Sequence, residues 1–423
     1  MHAFRQDFDL IVLFPYLINA TKQIQMRRFS SILTLTGILI FTGHTIVAQV
    51  TDSELKERFQ KRSTQMEQEG LAEPFKGITT DGTVQKGIFK IKATGVTTEP
   101  VFKAATSFLK SLNSDQKKRT KFVVDDSEWR KWMNQHFYVR QGVGFYEMSE
   151  EQRKAAFDLM HASLSAKGLK LSEDIMKLNH TLGEINNNFQ EYGEWLYWIT
   201  IMGEPSETEP WGWQMDGHHL IINYFVLGDQ VVMTPFFVGS EPVIAETGKY
   251  KGTTILQEEQ QAGLNMLRSL NNDQMKDAVI QVSKDGNNNL TEAFRDNVVL
   301  DYAGASVSSF SADQKKRLLA LIGLYVDNMD DGHAKVKMDE VKQYIDQTYF
   351  AWIGGSDDKS VYYYRVHSPV ILIEFDHQRP VATRQLYGTD PHRQHVHVVV
   401  RTPNGNDYGT DLLRQHYQQH PHK

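Results

Sequence analysis

Trp213-Gln214-Met215-Asp216-Gly217-His218-His219-Leu220-Ile221-Ile222-Asn223-Tyr224-Phe225-Val226-Leu227-Gly228-Asp229-Gln230-Val231-Val232-Met233-Thr234-Pro235-Phe236-Phe237-Val238 is the stretch on which the fold turns. Two runs rich in β-branched and aromatic residues flank Gly228-Asp229, and a glycine at the first central position suits a two-residue hairpin. The pattern predicts strands over 213–227 and 230–238. The same composition predicts further strands over 195–202, 361–366, 370–376 and 396–401.

Helices fill the intervals. Four short stretches share one pattern: Leu112-Asn113-Ser114-Asp115-Gln116, Met148-Ser149-Glu150-Glu151-Gln152, Leu270-Asn271-Asn272-Asp273-Gln274 and Phe310-Ser311-Ala312-Asp313-Gln314. Each sets Asn or Ser at an N-cap with Gln three residues on, a capping-box start with acids complementing the helix dipole. Their irregular spacing excludes a solenoid. The simplest reading is four independently capped helices; a duplicated helical unit is the alternative. Phe157, Met160 and Leu164 then share one face, with Gly168 as a stop. Ser172 opens a second helix with the stripe Ile175, Leu178, Leu182 and Ile185. Leu318, Leu319, Ile322, Tyr325 and Val326 mark a third, and Val341, Tyr344, Ile345 and Thr348 a fourth. Paired strands between blocks of helices predict an α+β fold, a mostly antiparallel sheet flanked by amphipathic helices.

The chain has 423 residues, 40% of them hydrophobic and 23% charged, ample for a sizeable core. A formal charge of -6 carries no basic footprint and argues against a nucleic-acid partner. Cysteine is absent, which removes disulfides, thiolate nucleophiles and Cys-type zinc sites together, so any metal must be held by His, Asp or Glu. Met26-Arg27-Arg28, the apolar run 32–41 and Thr45-Ile46-Val47-Ala48-Gln49 read as a secretory signal cleaved after Ala48, with 1–25 as an upstream extension. An uncleaved anchor fits less well, because the run is short and broken by Thr and Gly. The expected division is 1–48 extension and signal, 49–94 N-terminal segment and 95–420 a single domain. The expected location is periplasmic or secreted, with no integral membrane segment in the mature protein.

The chemistry concentrates near the C-terminus. On a strand, His395 and His397 share a face with Val399 and Arg401, while Val396, Val398 and Val400 form an apolar opposite face. In the preceding strand Glu374 and Asp376 share one face, and Ile371, Ile373 and Phe375 the other. Carboxylates ending an apolar strand are costly to bury unless paired or bound to a cation. Antiparallel pairing of these strands would bring both carboxylates to both imidazoles. The connection 378–394 is long for a hairpin, as functional loops are. A third element, Trp211 to His219, offers one more imidazole. If the strand runs through, His218 lies with Asp216, Leu220 and Ile222, and His219 with Ile221 and Asn223; periodicity does not choose between them. Trp211 and Trp213 are candidate pocket walls. Asn179-His180-Thr181 and Asn289-Leu290-Thr291 form glycosylation triplets of little weight.

Several of these motifs occur together in one known family. Pro210-Trp211-Gly212-Trp213 running into Gly217-His218-His219-Leu220, then Thr234-Pro235 and Gly239-Ser240-Glu241-Pro242, resembles the bacterial and fungal family known as domain of unknown function 3500 (DUF3500). So do Phe350-Ala351-Trp352-Ile353-Gly354-Gly355, Tyr363-Tyr364-Arg365, Ile373-Glu374-Phe375-Asp376, His395-Val396-His397, Asp407-Tyr408-Gly409, Asp411-Leu412-Leu413 and His416-Tyr417. The resemblance spans roughly 95 to 420. The chain departs from it at His377, where relatives carry Asn and a shorter loop follows, and at Val400, where many carry Trp. The family label implies no reaction, substrate or cofactor.

From the residues, the leading expectation is a metal-dependent enzyme, hydrolysis favoured over oxidation. His395, His397 and one of His218 or His219 would be ligands, with Glu374 a fourth ligand or the general base. Zinc suits this set, with iron or copper as alternatives. Arg401 and Arg365 would steady a carboxylate or developing oxyanion on a small-molecule substrate. Trp211, Trp213, Asp216, Trp352, Asp376 and His377 would line the pocket. The alternatives are metal-free acid–base catalysis by a His/carboxylate pair and a non-catalytic binder of a small ligand or cell-wall fragment.

Overall fold

The computed structural model describes residues 52–420; the expected signal segment lies outside the described residues. Helix α1 (Asp52–Gly70) leads into an extended arm. The first half of the domain then runs α2 (Glu99–Ser111), α3 (Ser114–Thr120), β1 (Lys121–Phe122), a long segment, β2 (Val143–Gly144), α4 (Glu150–Ser163), α5 (Ala166–Asn186), β3 (Tyr197–Met202), β4 (Trp211–Gly217), β5 (Leu220–Leu227), β6 (Gln230–Val232) and β7 (Phe236–Ser240). The second half runs α6 (Gln257–Arg268), α7 (Asn272–Ala278), β8 (Val279–Gln281), a long segment, β9 (Ala305–Ser306), α8 (Ala312–Val326), α9 (Asp331–Gln343), β10 (Tyr349–Gly354), β11 (Tyr362–His367), β12 (Leu372–His377), a connection holding α10 (Arg384–Tyr387), and β13 (Val396–Arg401). Helix α11 (Thr410–Gln419) follows.

The two halves repeat one order of elements, and the sheet shows it. Strand order is β1-β3-β4-β5-β7-β13-β12-β11-β10-β8, which reads the same from either edge once halves are exchanged. In each half the first strand pairs parallel (β1 on β3, β8 on β10) and the second antiparallel (β2 on β3, β9 on β10). One row of partners crosses the sheet: Val143, Ile199, Met215, Ile222 and Phe236, then Val400, Ile373, Val366, Phe350 and Ala305. An approximate two-fold axis therefore passes through the Phe236/Val400 pair. The fold is α+β with a mostly antiparallel sheet, as expected.

The four capping boxes form and are not independent. Gln152 Nε2 lies 2.8 Å from Gln116 Oε1, and Gln314 Nε2 lies 2.8 Å from Gln274 Oε1. Each half thus joins its two caps, α3 to α4 and α7 to α8, through a glutamine pair. The duplicated unit is what the chain builds.

Strands β4, β5, β7, β11, β12 and β13 are buried along their whole length. The helices pack on the face that holds Trp213, Tyr364, Phe236 and Val400. Trp213 Nε1 donates to Ser163 of α4, and the Tyr364 and Tyr325 hydroxyls meet between β11 and α8. The opposite face is polar and is covered by the two long segments, 123–142 and 282–304. Gln214 donates to the Trp129 carbonyl, Asp216 pairs with Arg140, and Arg401 donates to the Thr291 carbonyl.

Three local expectations are corrected. The run 213–227 is two strands, because the chain turns at His218-His219 and pairs Gly217 with Leu220. The run 230–238 breaks between β6 and β7 at Met233-Thr234-Pro235, where proline has no N–H for the ladder; the Gly228-Asp229 turn itself is present, with Leu227 opposite Gln230. Gly168 does not stop a helix, and Ser172 does not open one. Ser165 caps α5, and Gly168 in its first turn meets Asn328 so closely that a Cβ would sit 2.1 Å from the carbonyl oxygen.

Candidate metal centre

His219 enters the polar face from the β4–β5 turn. Gly217 permits that turn: a Cβ there would lie 2.0 Å from the Tyr197 ring. His219 takes a left-handed φ of 62°, and its backbone is fixed by donation from its N–H to Asn134 O (3.1 Å) and by acceptance from Gly239 N (2.9 Å). The expectation that adjacent histidines point to opposite faces assumed a continuous strand. In the turn their rings stack, centroids 4.0 Å apart. His218 is turned to Asn179, its Nδ1 2.8 Å from Oδ1, so it is not a member of the cluster.

His395 and His397 arrive two residues apart at the start of β13, on one face as the period requires. Three Nε2 atoms converge: His219 to His397 at 3.0 Å, His395 to His397 at 3.0 Å, and His219 to His395 at 3.4 Å. All three residues are buried. The other ring nitrogens are engaged. His395 Nδ1 lies 2.8 Å from the Arg379 carbonyl oxygen, and His397 Nδ1 lies 2.7 Å from Glu292 Oε1. A carbonyl oxygen only accepts, so the His395 proton sits on Nδ1; burial raises the Glu292 pKa to about 7, and its ionised form places the His397 proton likewise. Burial, then the neighbouring imidazoles, hold His219 and His397 well below the usual histidine pKa. With Nδ1 of His395 and His397 committed, their Nε2 atoms face each other at 3.0 Å with lone pairs, a repulsive contact that a cation reverses. A tetrahedral ion about 2.0–2.1 Å from each nitrogen sets the nitrogens about 3.3–3.4 Å apart, near the spacing found. Outer partners on Nδ1 are what metal-binding histidines characteristically have.

The carboxylates expected beside the imidazoles are elsewhere engaged. The strands pair as predicted, with Asp376 opposite His397 and Glu374 on the same face. The segment 284–292 takes both. Glu374 accepts from Leu290 N (3.0 Å), Thr291 N (3.0 Å), Thr291 Oγ1 (2.5 Å) and Tyr363 OH (2.6 Å). Asp376 accepts from Asn288 N (2.6 Å) and Gln378 Nε2 (2.6 Å) and pairs with Lys284 (2.9 Å). With its lone pairs spent on this segment, Glu374 is neither ligand nor base here. Burial raises the Asp376 pKa to about 7 against the pull of Lys284.

Arg401 is not free to meet an oxyanion. Arg401 is fully buried and spends its donors on Asp296 (2.8 Å), Asp407 (3.2 Å) and the Thr291 and Glu292 carbonyls. It locks the segment that delivers Glu292. Arg365 stands opposite Glu374 and donates to the Asp301 carbonyl at 3.4 Å. Nor is the aromatic pocket formed. Trp211, Trp213 and Trp352 have no exposed surface and belong to the core, Trp352 packing on Tyr362 and Tyr364. His377 faces the helices, its Nε2 2.7 Å from Gln260 Oε1. Asp216 pairs with Arg140 at 3.0 Å.

Two carboxylates that periodicity did not single out surround the centre instead. Glu292 partners His397. Glu241 Oε2 lies 3.5 Å from His395 Nδ1, while its other oxygen accepts from Val381 N (2.8 Å), Thr383 N (2.7 Å) and Thr383 Oγ1 (2.6 Å). The connection 378–394 is thereby pinned over His395, to which it also gives the Arg379 carbonyl. Glu292 lies in an irregular segment, where no apolar period marks a position; Glu241 was visible only within the family motif Gly239-Ser240-Glu241-Pro242.

Among the described residues, no helix is long and apolar enough to cross a membrane. No curated protein and no solved structure matches the chain. A family model described as "Protein of unknown function (DUF3500)" matches residues 94–410, which takes in both halves of the sheet, the three converging histidines and both outer carboxylates. The chain belongs to the DUF3500 family.

Proposed function

We propose that His219, His395 and His397 hold a divalent metal ion, zinc by preference, and that the protein is an exported metal-dependent enzyme of hydrolase type acting on a small molecule. The observation that carries this reading is the convergence of three buried Nε2 atoms within 3.4 Å, two of them with Nδ1 committed elsewhere. Three protein ligands leave one position of a tetrahedral ion for water, whose pKa such an ion brings to about 7. The chain's own contribution is positional: Glu292 and the Arg379 carbonyl fix tautomer and ring direction, and the β4–β5 turn brings His219 across from the other half. Iron and copper also accept imidazole sets. Export is supported by the basic start and short apolar run before Ala48.

Elemental analysis of purified full-length protein tests the reading. The expected result is close to one equivalent of metal per chain, lost in His395→Ala/His397→Ala while unfolding stays cooperative. Wild-type metal content in the double variant, or no metal after supplementation of the wild type, rejects it. A metal-free second reading is favoured by the 2.7 Å His397–Glu292 contact, a pairing suited to acid–base work. Turnover that survives chelation in a broad substrate screen would select it.

A further inference from the structure

A cavity of about 280 Å³ lies away from the imidazoles, on the helical face of the sheet. Its floor is Phe236 and Val400, the central pair of the two-fold row, whose side chains alternate away from His397. Val326, Met329 and Val336 of the α8–α9 layer form its sides. Its outer wall is the arm 87–94, which belongs to no strand of the sheet. Side chains tether that arm: Gln230 binds Lys92 N (2.8 Å) and Lys90 O (3.1 Å), Asp229 binds Thr94 N (2.8 Å), and Gln415 binds Phe89 O (3.0 Å).

Lysines outnumber acids in the lining of this cavity. Lys90, Lys92 and Lys337 line it against a single acid, Glu340. Lys337 is used internally, donating to Glu340 (2.7 Å) and the Val370 carbonyl (2.8 Å). Lys90 and Lys92 are exposed and make no ion pair among the described residues. A mixed lining with an apolar part at Phe236, Val326, Met329 and Val336, and two lysines on the outer arm without ion pairs among the described residues, is complementary to a ligand with an apolar body and one negative head.

We propose that this cavity is a binding site for a small amphipathic organic anion, an alkyl or aryl carboxylate. Its body lies among Phe236, Val326, Met329 and Val336, and its head meets Lys90 and Lys92 on the arm. The site is separate from the imidazole cluster and does not depend on the metal reading.

Titration of the full-length protein with 1-anilinonaphthalene-8-sulfonate, an apolar anion, gives the readout, followed by displacement with decanoate, decan-1-ol and decylammonium. Saturable binding at one site is expected, with decanoate displacing the probe at concentrations where decylammonium does not. Val336→Trp, which fills the cavity, should abolish probe and decanoate binding. Lys90→Glu/Lys92→Glu, on the exposed arm and harmless to folding, should weaken decanoate about tenfold and leave decan-1-ol unchanged. Equal displacement by decanoate and decylammonium, unsaturable binding, or decanoate affinity untouched in the lysine double variant would overturn the proposal.

Discussion

Glu292 touches the imidazole cluster only through His397 Nδ1, yet that one contact decides which His397 nitrogen carries the proton. Replacing it with Gln keeps the shape and removes the carboxylate that, ionised above its raised pKa of about 7, fixes the tautomer. For outer carboxylates of this kind the loss in metal affinity is about 10–100-fold. Competition of Glu292→Gln and wild type against a chelator of known affinity measures it, and equal affinities would mean that His397 needs no orienting partner. A second carboxylate speaks to stability. Glu128 is buried at 3% exposure, 3.5 Å from Lys131. Burial raises its pKa from 4.5 to about 7, and Lys131 only partly opposes this. The folded chain holds that proton more tightly than the unfolded chain, so the group's stabilisation is full below pH 4.5 and is lost as pH rises through 7. The loss is on the order of 3 kcal/mol. Glu128→Gln cannot titrate, so the difference in unfolding free energy between variant and wild type should grow in the variant's favour across that window. A flat difference would show that Glu128 is already ionised in the fold.

Elements meet at close range in ways that set the sign of a mutation. In a helix, Gly→Ala ordinarily stabilises by about 1 kcal/mol. At Gly168 the new Cβ would sit 2.1 Å from the Asn328 carbonyl oxygen, an overlap with backbone that cannot rotate away. Overpacking of this kind costs about 1–3 kcal/mol, so Gly168→Ala should destabilise on balance, read as a lower urea midpoint with unchanged slope. The same contact explains why the sequence misled: a glycine near a period's end reads as a stop, and only the neighbouring chain shows that it is a point of approach. The capping boxes were legible because Asn/Ser-to-Gln spacing is local; their pairing through Gln116–Gln152 and Gln274–Gln314 is not. His395 and His397 were legible for the same reason, since a period of two needs no partner. His219 was half legible, because the argument needed the β4–β5 turn that Gly217 permits. The carboxylates failed differently. Register put Asp376 opposite His397 as expected, but the amides of 288–291 compete for such groups, and nothing in an irregular segment announces where its N–H groups will point. The tryptophans failed because an aromatic on a sheet buried on both faces is core before it is pocket.

The two-fold repeat supplies the whole molecule with its own control. Ile222 and Ile373 occupy the same place in the row, so Val370 stands where His219 stands. Asp376 faces His397 in the second half, and its counterpart Phe225 faces Val232 in the first, so Gln230-Val231-Val232 corresponds to His395-Val396-His397. One architecture is thus built twice, once with three imidazoles and once with none. The second copy is built without them, and burying three imidazoles nitrogen to nitrogen works against stability. Residues that the architecture neither needs nor favours fit the proposed metal-binding role. The triple variant His219→Asn/His395→Gln/His397→Val transplants the other half's residues at 395 and 397 and sets at 219 a side chain that tolerates its left-handed φ of 62°. Metal-free, it should unfold cooperatively at a temperature equal to or above that of the metal-free wild type, while metal content falls to background. Collapse of the fold in the triple variant would make the imidazoles structural and would remove the strongest argument for a metal centre. Retention of the fold with loss of metal would leave binding as the remaining account of why only one half carries them.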